Sequence, residues 1–126
     1  IALDASGSLK EDGFAILRNF AMNLTQKYEP EYFGQPTVRI GLVLFGNGRL
    51  VTQPDGSTTI SSAIPITPLT EDFGVLRSHM LALTWQRGFT NMAQALTLAD
   101  VLLSQKGRTY AQSAILVLSD GKYSFK

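Results

Sequence analysis

The stretch Ile1-Ala2-Leu3-Asp4-Ala5-Ser6-Gly7-Ser8 ends an apolar run in a carboxylate and two hydroxyls at alternate positions. A short apolar run that meets a glycine and then helical periodicity reads as a buried strand leaving its sheet through a tight turn into a helix. On that turn the side chains of Asp4, Ser6 and Ser8 can converge on one point in space. Hard cations take oxygen ligands; magnesium in particular wants a near-octahedral oxygen shell, keeps several waters and uses few protein carboxylates. One acid with two neutral hydroxyls suits it, but this segment does not complete a shell without residues from elsewhere.

Beyond Ser8, Phe14, Leu17, Ala21, Leu24 and Tyr28 recur at helical spacing, with Phe20 widening the stripe, and predict a long amphipathic helix. Glu11 and Asp12 fall in its first turn, where acids favour the positive end of the helix dipole. Pro30, Gly34 and Pro36 break the pattern, and the run 37–45, dominated by β-branched and apolar residues, predicts a largely buried strand. Asn47-Gly48 then lies before Arg49-Leu50-Val51-Thr52, a strong hairpin signal that predicts antiparallel pairing of these two strands. Gly46-Asn47-Gly48 lacks the third glycine and the following helix of a dinucleotide-binding loop. Pro54-Asp55-Gly56 is a further turn, and segment 57–68, rich in Ser, Thr and Pro, reads as an irregular or edge-strand crossover.

Thr70 is the expected cap of a second helix, with Glu71 and Asp72 in its first turn and Phe73, Leu76, Met80 and Leu83 as its buried stripe. The single histidine, His79, lies within this helix and is given no chemical role. After Trp85 the loop Gln86-Arg87-Gly88-Phe89 leads to Thr90 and Asn91. Met92, Ala95, Leu96, Ala99, Leu102 and Leu103 mark a third helix that closes near Lys106-Gly107. The run 113–118 is apolar throughout, as a central parallel strand covered on both faces would be, and it ends in Ser119-Asp120-Gly121. In doubly wound sheets ligands bind at the carboxyl ends of strands where the connection direction reverses. Two such strands side by side would bring Asp4 and Asp120 together, with Thr90 joining them from a third loop.

The chain has 126 residues, 44% of them hydrophobic, which fits one globular domain with a sizeable core. No apolar run reaches the length of a membrane span, and a formal charge of +1 gives no field for nucleic acid or lipid headgroups. With no cysteine there is neither a disulfide framework nor a thiolate metal site, which leaves the compartment open. Ile1 opens the sequence without a methionine and Lys126 closes it just past an apolar strand. The expectation is therefore a single α/β domain over 1–126, truncated at both ends and lacking its C-terminal elements.

Taken together, these residues resemble the von Willebrand factor type A domain with its metal-ion-dependent adhesion site. The family's Asp-x-Ser-x-Ser stretch corresponds to Asp4, Ser6 and Ser8, its helix-opening threonine to Thr90, and its strand-end aspartate to Asp120. The resemblance implies a doubly wound, mostly parallel sheet with one antiparallel edge strand and helices on both faces. It also implies Mg²⁺ or Mn²⁺ as the cofactor and a partner protein that presents a Glu or Asp to it, in an extracellular or cell-surface setting. Phe89 departs from the second glycine that many relatives place before the threonine, and implies a stiffer loop. Asn23-Leu24-Thr25 is a glycosylation triplet, but it falls inside the first predicted helix.

Two other classes compete with an adhesion module. A magnesium-dependent phosphotransfer enzyme would use Asp4 as its strand-end aspartate, yet Ser6 stands where a second acid is usual and no Gly-rich loop with lysine appears. A Ser-His-Asp hydrolase would need a nucleophile elbow that the glycine pattern does not supply. The remaining class is a metal-free structural module of the same fold. Phosphatase turnover measured beside a metal titration separates the three.

Overall fold

The computed structural model describes residues 1–28, 38–106 and 110–122. Its centre is β1 (Ala2–Asp4), buried along its whole length and paired in parallel with β2 (Ile40–Phe45) on one side. On the other side β1 pairs in parallel with β6 (Val117–Leu118), while β2 pairs antiparallel with β5 (Ile64–Thr70). The strand order is β5-β2-β1-β6.

Every residue of β2 is buried because both faces of the sheet are covered. Side chains alternate along a strand, so Leu3, Ala5, Leu42 and Leu44 enter one core with Phe14 and Ala21 of α1 (Lys10–Gln26) and Phe73, Leu76 and Met80 of α2 (Phe73–Leu81). Ala2, Val43 and Phe45 enter the other, against Ala95 and Ala99 of α3 (Met92–Lys106). This is the doubly wound α/β architecture the resemblance implies, with helices on both faces.

The antiparallel pair differs from the expected one. Strand β3 (Leu50–Thr52) does not fold back on β2; it pairs with β4 (Thr58–Ile60) in a separate two-stranded ribbon. The turn of that ribbon is Pro54-Asp55-Gly56, where Gly56 adopts φ 86°. Asn47-Gly48 makes no hairpin because tertiary contacts claim it. The Asn47 amide donates to the Ser62 carbonyl, and Gly48 exchanges two backbone hydrogen bonds with Phe89. The edge strand is β5, which begins within the predicted crossover. Pro65 and Pro68 are tolerated there because an edge strand leaves one row of backbone groups unpaired.

Smaller corrections follow from packing. Asp72, not Thr70, caps α2: its carboxylate accepts from Val75 N at 3.1 Å, while Thr70 ends β5 and accepts from Asp72 N. Phe20, which widens the apolar stripe of α1 in sequence, is 52% exposed, and Tyr28, beyond the end of α1, is also exposed. At 3.6 residues per turn Phe20 lies about 120° round from Phe14, whereas Thr25 returns to the Phe14 face and is buried.

The last strand is shorter than the apolar run 113–118 and lies outermost in the described sheet, beside β1. Among the described residues only β1 pairs with it, so Ile115 and Leu116 are 37% and 42% exposed. The second strand starts at Ile40; Val38 and Arg39 precede it, and position 37 lies outside the described residues, as do Pro30, Gly34, Pro36 and Gly107.

Candidate metal centre

Asp4 stands at the carboxyl end of β1 with its side chain fully buried. Its Oδ1 accepts from Ser6 N at 2.8 Å and its Oδ2 accepts from the Ser119 hydroxyl at 2.6 Å. Both donors are neutral, and among the described residues no cationic side chain pairs with this carboxylate. A buried carboxylate held only by neutral donors is an electrostatically unfinished arrangement, and a nearby cation completes it.

Ser6 is buried and Ser8 exposed, on the short 3-10 turn Gly7–Leu9, and their hydroxyl oxygens lie 3.2 Å apart. The turn is held by the loop 85–88. Trp85 Nε1 donates to the Ser6 carbonyl at 2.9 Å, Gln86 N and Arg87 N donate to the Ala5 carbonyl, and Gly7 N donates to the Gly88 carbonyl. Gly88 N in turn donates to Gly46 at the end of β2.

Backbones this close exclude side chains. A Cβ on Gly46 would fall 2.2 Å from Ser6 N and 2.7 Å from Asp4 Oδ1, and Gly46 adopts φ 81°; on Gly88 it would fall 2.5 Å from the Asn47 carbonyl carbon. Two glycines thus allow three loops to meet at the end of β1.

Thr90 comes from the loop before α3 and is half-buried; its hydroxyl donates to the Lys122 carbonyl at 3.3 Å. Asp120, exposed just beyond β6, accepts from Lys122 N at 3.0 Å. The loop after β6 therefore touches Thr90 through Lys122 and Asp4 through Ser119. Asp4 is thus linked to Ser6 through the Ser6 backbone, Ser6 to Ser8 through their hydroxyls, and Thr90 to the 119–122 loop that carries Asp120 and reaches Asp4 through Ser119.

Two residues of this cluster were not legible in the sequence. Asn91, buried just before α3, accepts from Gly46 N at 2.7 Å and donates to Asn47 Oδ1 and the Ser61 carbonyl. Its only signal is a polar residue where a loop becomes a helix. Ser119 could have been noticed as a hydroxyl at a strand end beside Asp120.

A family model for the von Willebrand factor type A domain matches residues 1–126. The chain belongs to that family. Among solved structures, the type A domain is similar to part of the crystal structure of three N-terminal domains of the type V pili tip protein Mfa5 from Porphyromonas gingivalis, with a TM-score of 0.61 and 20% sequence identity. The match covers 82% of this chain and 16% of that one, and what it shows is the shared fold. No curated protein matches this sequence.

The chemistry of the site in this type A domain fits a hard divalent ion. Two carboxylates and three hydroxyls are oxygen donors of the kind magnesium takes. Among the described residues no three His, Cys, Asp or Glu side chains come together, so a zinc-type donor set is not assembled. His79 is occupied elsewhere, with Nδ1 2.8 Å from the buried Thr67 hydroxyl.

Proposed function

We propose that this type A domain is a divalent-cation-dependent protein-binding and adhesion module. Asp4, Ser6, Ser8, Thr90 and Asp120 would hold one Mg²⁺ or Mn²⁺, and a Glu or Asp of a partner protein would take the position they leave open. The observation that carries this reading is Asp4: a buried carboxylate with only neutral donors, beside a pair of hydroxyls at the meeting point of three loops. The bound ion would supply a positive centre that an incoming carboxylate recognises.

Each residue has a part in that arrangement. Ser6 and Ser8 present neutral oxygens, so they leave the ion's charge undiminished for the partner's acid. Ser119 and Ser6 N fix the two oxygens of Asp4, which sets the orientation of the carboxylate before any ion arrives. Trp85 and Gly88 hold the backbone of the turn, and Thr90 and Asp120 approach on loops of their own. We place the module outside the cell or at its surface, and assign it no catalysis: type A domains are typically interaction modules. Among the described residues no helix is long and apolar enough to cross a membrane.

Isothermal titration with Mg²⁺ and Mn²⁺ tests the site. The domain should bind one ion, and Asp4→Ala, Ser6→Ala and Asp120→Ala should weaken or abolish the heat. Asp120 and Ser8 are exposed, so Asp120→Ala and Ser8→Ala report on the site without a risk to folding. Equal heats from wild type and all variants would remove the site as described. Phosphatase turnover that depends on Asp4 would instead favour the enzyme class.

A further inference from the structure

We propose that Arg87 is a specificity-determining residue beside the cation site: it selects protein partners that present a second carboxylate next to the one directed at the ion. This rests on the cation-site reading, and the observations behind it are separate. Arg87 is exposed and holds φ 59°, a left-handed conformation that favours glycine. Its backbone is committed to the site, with its N–H donating to the Ala5 carbonyl at 3.1 Å and its carbonyl packed over Gly7.

The side chain is directed as well. The Arg87 guanidinium carbon sits 5.1 Å from the centroid of the Trp85 ring, and that ring's Nε1 donates to the carbonyl of Ser6. A guanidinium is thus stacked on the indole that buttresses one of the proposed ligands. Stacking occupies the face of a guanidinium and leaves its edge of N–H donors, the edge that a carboxylate meets in a two-pronged pair. Among the described residues no carboxylate pairs with Arg87.

The loops that meet at the site also carry other basic residues. Lys10, exposed and also at φ 59°, follows the Ser8 turn; Lys122, exposed, lies between Thr90 and Asp120; Arg49 reaches to 3.5 Å of the Gln86 carbonyl. The acids near these loops are Glu11 and Asp12, in the first turn of α1, and the proposed ligands Asp4 and Asp120. With an ion held by the latter two, the face has a net positive character, complementary to an acidic protein segment. One carboxylate satisfies the ion, and Arg87 offers the matching site for a second.

The test uses the whole domain in Mg²⁺ and two fluorescent peptides of equal length in a Gly-Ser background, one with a single Glu and one with two adjacent Glu. Anisotropy should show the two-Glu peptide binding about tenfold tighter. Arg87→Gly, which suits the positive φ, should erase that difference while leaving Mg²⁺ heats and single-Glu binding within about twofold. Arg87→Lys keeps the charge but not the planar fork, and should lose most of the preference. Equal affinities in the wild type, or a preference that survives Arg87→Gly, would overturn the proposal. So would a sulfated oligosaccharide that binds as tightly as the two-Glu peptide through Arg87, since the face would then be a general polyanion surface. No Mg²⁺ heat in the wild type, with the two-Glu preference intact in EDTA, would overturn the cation reading and not the role of Arg87.

Discussion

At Asn91 a single buried amide joins Gly46, Asn47 and Ser61, so the loop after β2 and the start of α3 are held through one side chain. Asn91→Ala would leave the buried Gly46 N–H without its partner and remove the donor of two further, part-buried bonds. A loss of about 2–4 kcal/mol is expected, measured by urea unfolding, since each buried group left unpaired costs about 1–3 kcal/mol. Gly46→Ala should cost at least as much, because its new Cβ would press on Ser6 N and on the Asp4 carboxylate. Losses under about 0.5 kcal/mol for both, the range of ordinary surface changes, would mean that the loops do not depend on one another.

Among the elements, α2 and the β3–β4 ribbon give separate tests of local chemistry. Asp72→Ala should destabilise the domain by about 1 kcal/mol because it removes the acceptor for Val75 N, and Thr70→Ala should cost less. Thermal melts of the two variants decide between them; a larger loss at Thr70 would reverse the assignment of the cap. In the ribbon turn the Ser57 hydroxyl and backbone N–H both donate to Asp55, and they hold its carboxyl below the usual carboxylate range. With the folded value depressed, the turn's contribution is present above the unfolded pKa and is lost as pH falls through the folded one. An NMR titration should find the Asp55 midpoint low in the wild type and raised by Ser57→Ala; an unchanged midpoint would show that the hydroxyl does not set it.

Across the whole molecule, the proposed ligands come from the β1–α1 turn, the loop before α3 and the loop after β6, so metal occupancy and partner binding need not fail together. Thr90 belongs to a loop separate from Asp4, Ser6 and Ser8, and its hydroxyl contacts the Lys122 carbonyl. Thr90→Ala should therefore leave Mg²⁺ binding detectable while partner affinity falls further, by about tenfold or more. Binding to extracellular protein candidates should be lost in EDTA and restored by Mg²⁺. A verified partner that binds equally well in EDTA, or equally well to Thr90→Ala, would move recognition to another surface.

The sequence by itself determined the strand-turn-helix at Asp4 and the burial of Phe73, Leu76, Met80 and Leu83, and it singled out the oxygen-bearing residues proposed as ligands. These were legible because apolar periodicity and turn chemistry act over a few residues. It also indicated the parallel placement of β1 beside β6, since an apolar strand ending in Asp120 repeats the pattern that ends in Asp4. Which strand would cover the open edge of β2 was settled only in three dimensions. Asn47-Gly48 has the local preference for a hairpin, but Phe89, Ser62 and Asn91 take its backbone and side chain, and β5 takes the edge. Asn91 and Ser119 were hidden for the same reason. The partners that give them their roles lie 45 residues away at Gly46 and 115 residues away at Asp4, and only chain packing brings such groups within hydrogen-bond reach.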